Sequence, residues 1–61
     1  MKCSELLRIL KRDGWYPVSQ KGSHIKLAHP VKKNVIVFPN HGSREVGKVM
    51  EIKILKDAGI I

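Results

Sequence analysis

The residues whose types and spacing can do chemistry lie in one stretch, Gly22-Ser23-His24-Ile25-Lys26-Leu27. Lys21-Gly22 reads as the turn of a hairpin, followed by a strand in which polar and apolar side chains alternate. His24 and Lys26 therefore project from one face, while Ile25 and Leu27 project from the other. Histidine titrates closest to neutral pH of any unperturbed side chain, so one imidazole can take or give a proton there. RNA carries its own nucleophile in the 2′-hydroxyl. Cleaving it requires a base for that hydroxyl, an acid for the leaving oxygen and positive charge beside the phosphorus. His24 suits either proton-transfer role, and Lys21, Lys26 and the Gly22-Ser23 backbone amides suit the phosphate. This route calls for no metal or other cofactor. On the residues alone, His24 also fits a solvated surface histidine or a simple phosphate contact.

The other candidate groups read differently. His29 precedes Pro30 and His41 precedes Gly42, so both fall in loops, with contact to RNA open for each. A zinc site would have to gather Cys3, His24, His29 and His41 from four elements, without the short paired spacings of structural zinc sites, so no metal is expected. Cys3 sits in an apolar pattern and reads as a small core residue. Ser23 beside His24 does not make a hydrolase triad, because neighbouring strand residues face opposite ways and no acid is placed to orient the imidazole. Trp15 is expected to pack in the core, and Tyr16 is left open to base stacking. Lys2, Arg8, Lys11 and Arg12 form a basic set that is either a solvated helix face or a track for a phosphate backbone.

The elements that must position the strand follow from periodicity. Cys3, Leu6, Leu7 and Leu10 recur at helical spacing behind Ser4, a candidate cap, and Glu5. Lys11 and Arg12 then occupy a last turn stopped by Gly14, so a helix is predicted over 4–13. Trp15 to Val18 favour extended chain, with Pro17 marking an edge strand or a bulge. The central strand is expected over 23–28, ended by His29-Pro30. The β-branched run from Asn34 to Phe38 predicts a third strand closed by Pro39. Ser43 is read as the cap of a second helix with Glu45 in its first turn. From Val46 to Ala58 the pattern is helical, but its apolar positions spread over more than one face, and Gly59 ends it. The surplus apolar surface can meet a partner or wrap beside the first helix. The expected fold is a two-layer α+β domain of order α-β-β-β-α, with both helices on one face of a three-stranded antiparallel sheet and the other face open.

One domain spanning 1–61 is expected, and a chain of about 60 residues buries only roughly 60% of its unfolded surface, which leaves no room for a large internal substrate cavity. Twelve Lys and Arg against five Asp and Glu give a net charge of +7, which favours a polyanionic partner, either nucleic acid or an acidic protein. One cysteine fits a reducing compartment, and no apolar run approaches the roughly 20 residues needed to span a bilayer. No signal-peptide pattern is read at the start, so a cytoplasmic location without membrane attachment is expected.

Taken together, Lys2, Ser4-Glu5-Leu6-Leu7, Gly14-Trp15, Lys21-Gly22-Ser23-His24, Pro39 and Ile54-Leu55-Lys56-Asp57-Ala58-Gly59-Ile60 resemble, in order and spacing, the HicA-type toxins of type II toxin–antitoxin pairs. The resemblance implies a double-stranded-RNA-binding-domain-like fold and metal-independent cleavage of mRNA. It implies that the histidine of the Gly-Ser-His motif, here His24, is the catalytic group. It further implies a HicB-type antitoxin as partner, with the toxin alone a monomer and the pair a hetero-oligomer. Gly22 and Ser23 match the motif itself, whereas Lys21 and Lys26 are assigned from charge and geometry. A non-enzymatic RNA-binding module of the same fold is the alternative reading, and a protein-interaction domain for an acidic partner is a third.

Overall fold

A computed structural model describes residues 1–61 in the order α1 (Cys3–Asp13), β1 (Tyr16–Lys21), β2 (His24–Ala28), β3 (Ile36–Pro39) and α2 (Lys48–Asp57). The strands form one antiparallel sheet in the order β1-β2-β3, as expected, so the strand that begins at His24 is central.

Alternation decides which face of the sheet is covered. Along β2, His24 and Lys26 are exposed while Ile25 and Leu27 are buried. Phe38 lies opposite Ile25 and Ile36 opposite Leu27, and residues directly opposite in a ladder share a face. These four join Cys3, Leu6 and Leu10 of α1 with Ile54 and Ala58 from the α2 end, and with Trp15, in one core. Both helices therefore cover the same side, and the side bearing His24 and Lys26 stays open. Trp15 and Cys3 pack inside, as their patterns suggest, and Tyr16 remains exposed.

β1 carries the irregularity that Pro17 foretells. Its pairing with β2 runs Pro17↔Leu27 and then Ser19↔Lys26, so Val18 is an extra residue in a bulge. Every residue of β1 is exposed, and the helix layer leaves this outer strand uncovered.

Besides β2, which starts at His24 with Ser23 left in the turn, three elements start away from expectation. α1 begins one residue early: Lys2 is its cap, and the Lys2 amide donates to the Glu5 carboxylate at 2.9 Å, leaving Ser4 inside the first turn. Ser43 does not cap α2. Residues 44–46 run instead beside the start of the chain, with the Cys3 amide donating to the Arg44 carbonyl at 2.9 Å and the Val46 amide to the Met1 carbonyl at 2.8 Å. Glu45 accordingly pairs with Lys2 in an isolated bridge, and its carboxylate accepts from the Met1 amino group at 2.8 Å. Backbone pairing outcompetes the local capping signal, and the helix starts only after Gly47. The third boundary is at β3, which starts at Ile36, because the Asn34 side-chain amide donates to the Asp57 carbonyl at the end of α2.

The β2–β3 connection fastens both helix ends. His29 Nε2 lies 2.7 Å from the Asp13 carbonyl, and His29 Nδ1 accepts from the amides of Val31 and Lys32, each at 3.1 Å. With Nδ1 accepting, Nε2 carries the proton and donates to the Asp13 carbonyl. The ring also sits edge-on to Trp15, with centroids 5.1 Å apart. A β-carbon at Gly14, whose φ is 112°, would lie 2.8 Å from His29 Nε2, so glycine is required there by both backbone and space. The Lys32 ammonium donates to the Asp13 carboxylate at 2.6 Å and to the Ala58 carbonyl at 2.7 Å.

The Lys32 ammonium is the main cause holding the Asp13 carboxyl below its ordinary value, with smaller help from the His29 ring and the Trp15 indole. The indole N–H reaches no partner at hydrogen-bonding geometry, so its pull is a weak one. Because the folded pKa is depressed, this contribution is complete at neutral pH and is lost as pH falls below the unfolded carboxyl value and through the folded one. Thermal unfolding of Asp13→Asn is therefore expected to depend less steeply on pH than that of the parent in the acid range. An identical acid limb in both proteins would remove the pair from the stability account.

Candidate active site

The turn that presents His24 is built by two residues. Gly22 and Ser23 connect β1 to β2, with Lys21 paired to His24 across the hairpin. Gly22 has φ 61° and no other residue of the turn is positive, the pattern of a II′ turn with glycine in its first central position. The Gly22 and Ser23 amides enter no hydrogen bond within the chain, and both stand at the end of the hairpin beside His24. Successive free amides at such a turn suit an anion.

Two contacts brace the turn. The Gln20 side-chain amide donates to the Gly22 carbonyl at 3.0 Å, and the Asn40 backbone amide donates to the Ser23 carbonyl at 2.7 Å. Neither residue was singled out from the sequence. The first bond depends on the turn already existing, and the second on β3 ending beside it, so no local pattern announces either.

On the open face, His24 stands between Lys21 on β1 and Pro39 on β3, and Lys26 stands between Ser19 and Val37. The His24 side chain makes no hydrogen bond or ion pair with the rest of the chain, and neither Lys21 nor Lys26 has a carboxylate within ion-pair distance. The fold thus brings Lys21, Gly22, Ser23, His24 and Lys26 together at one end of the sheet. An exposed imidazole lies there with two unneutralised ammonium groups and two unpaired amides, groups that can transfer a proton and hold an anion.

The other histidines are elsewhere. His29 is consumed by the loop it organises, with its side chain 8% exposed and both nitrogens engaged, so it is a structural residue rather than one offered to a ligand. His41 is exposed in the β3–α2 loop, where its carbonyl accepts from the Arg44 amide. Cys3 is buried on the inner face of the first turn of α1.

A concave feature lies beside Asn40, whose amide braces the turn. A shallow groove of about 400 Å³ runs between α1 and the loop after β3, lined by Ser4, Leu7, Arg8, Lys11, Asn40 and Gly42. The Ser4 amide donates to the Gly42 carbonyl at 3.0 Å and fastens its two walls together. No helix of the chain is long and apolar enough to cross a membrane.

The sequence pattern of the family described as the HicA toxin of bacterial toxin–antitoxin matches residues 3–60. Over 60 residues the chain is 40% identical to a protein of Pseudomonas fluorescens (strain Pf0-1) named "Probable mRNA interferase HicA", spanning 98% of this chain and 97% of that one.

Proposed function

The chain belongs to the HicA toxin family, and from that premise we propose that it is an endoribonuclease toxin that cleaves mRNA without a metal and is held inactive by a HicB-type antitoxin. The observation that carries this reading is His24, exposed and uncommitted on the open face, directly across from Lys21 and two residues from Lys26.

In the proposed reaction the 2′-oxygen loses its proton and bonds to phosphorus while the bond from phosphorus to the 5′-oxygen breaks. That leaving oxygen takes up a proton. His24 is the group that transfers protons at this centre, and its place at the rim of the sheet lets a strand of RNA approach without entering a cavity. Lys21, Lys26 and the Gly22 and Ser23 amides hold the phosphate and stabilise the charge that gathers on it. The relative named as an mRNA interferase supports the choice of substrate, and the net charge of +7 supports an RNA partner. The apolar side chains that α2 leaves exposed, Val49, Met50 and Ile52, suit the protein that covers the toxin.

Incubating the purified chain with a defined RNA in excess chelator tests the reaction class. The expected products end in a 2′,3′-cyclic phosphate on one side and a 5′-hydroxyl on the other. Cleavage that stops on chelation, or that leaves 5′-phosphates, would rule this chemistry out.

A further inference from the structure

We infer that the groove between α1 and the β3–α2 loop is a second phosphate-binding site, in which Arg8 and Lys11, with Ser4 and Asn40, hold the RNA backbone next to the phosphate presented to His24. This rests on the ribonuclease reading and adds to it the path of the strand outside the reacting centre.

Three observations point the same way. Ser4, Arg8 and Lys11 lie at i, i+4 and i+7 on α1, so they share one face, and that face is a wall of the groove. Neither cation is neutralised. All four ion pairs of the chain belong to Asp13, Glu45 and Glu51, the Glu5 carboxylate is occupied by the Lys2 amide, and no acidic residue lines the groove. Two cations with no carboxylate between them favour an anion that spans both.

The groove is also joined to the reacting centre. Asn40, in its far wall, donates its backbone amide to the Ser23 carbonyl, and Pro39, one residue earlier, pairs with His24. A strand whose phosphate sits at the Gly22-Ser23 turn therefore meets Asn40 and then Arg8 and Lys11 as it continues across the end of the sheet. One lining residue, half-buried Leu7, is hydrophobic, and Ser4, Arg8, Lys11 and Asn40 supply donors for a phosphate. The contact is to phosphate, so it sets register and affinity without selecting bases.

The test uses the full chain and a 2′-O-methyl RNA oligomer, which lacks the attacking hydroxyl and is not cut. Arg8→Gln/Lys11→Gln is expected to bind about tenfold more weakly near 0.1 M salt. Its plot of log affinity against log salt is expected to be shallower by about 1.4, or about 0.7 for each lost phosphate contact on a single strand. Arg8→Lys/Lys11→Arg should keep the parental slope, and Lys53→Gln, exposed on α2, should leave both slope and affinity unchanged. On cleavable RNA the double glutamine variant should raise KM with kcat little altered. Its unfolding midpoint, measured in parallel, separates loss of contact from loss of fold. A parental slope and affinity in the folded double variant would overturn the groove while leaving cleavage by the parent intact. So would unchanged RNA binding together with lost binding of poly-glutamate, which would give the groove to an acidic protein. If the parent neither binds nor cuts RNA, the ribonuclease reading itself fails and the groove assignment falls with it.

Discussion

Purified His24→Ala is expected to fold as the parent does, to bind RNA, and to cut it roughly 10²- to 10⁴-fold more slowly, the range over which a positioned general acid or base accelerates a reaction. The fold should survive because the His24 side chain is exposed and bonds to no other residue, and because the strand is anchored from its other face by Ile25 and Leu27. RNA binding should survive because the cations and turn amides around it remain. His24→Gln sharpens the result: its amide can still hydrogen-bond to phosphate but cannot exchange a proton at neutral pH, so it should be as slow as alanine. Cleavage by either variant at the parental rate would exclude His24 from proton transfer. The measurements are single-turnover rates on a defined RNA, with affinity and thermal midpoint taken on the same preparations.

The second large effect is on stability. Phe38→Ala should remove about 3–5 kcal/mol, the usual loss when a buried phenylalanine is truncated. A chain of this length has only about 3–9 kcal/mol to lose, at about 0.05–0.15 kcal/mol per residue. The ring is fully buried, lies opposite Ile25 and stands behind the strand that carries His24. The variant should therefore be largely unfolded near body temperature, and inactive for that reason alone. Urea denaturation followed by circular dichroism measures the loss. A midpoint within error of the parent would mean that the core closes around the missing ring. Leu27→Ala, equally buried on the central strand, provides the comparison at a smaller side chain.

Most of the architecture is legible in the sequence because its signals are short-range. The stripe of Cys3, Leu6 and Leu10, the stop at Gly14, the turn at Gly22 and the alternation from His24 to Leu27 each depend on residues a few positions apart, and each appears in the structure. The second helix is where local reading fails. Ser43 and Glu45 look like a helix start, but the backbone from Arg44 to Val46 is engaged by Met1 and Cys3, more than forty positions away. Asn34 and Val35 head the run read as a strand, yet the Asn34 amide is drawn to the Asp57 carbonyl and the sheet begins two residues later. Within the candidate site, His24, Lys21 and Lys26 can be placed from alternation and charge. Gln20 and Asn40 cannot, since the partners they brace exist only after the hairpin and β3 have come together. His29 was legible as a loop residue, but its commitment to Asp13, Val31 and Lys32 was not.

The bulged outer strand has a consequence for how the protein behaves at high concentration. β1 leaves one side of its backbone unpaired, and an exposed flat edge of that kind is a template on which further chains add as strands. Pro17 has no N–H to offer, the extra residue at Val18 breaks the hydrogen-bond repeat, and Lys21 sets a positive charge at the end of the edge. These features hinder edge-to-edge addition along β1. A small domain with a thin core thus carries a guard against edge pairing in the same hairpin that presents His24.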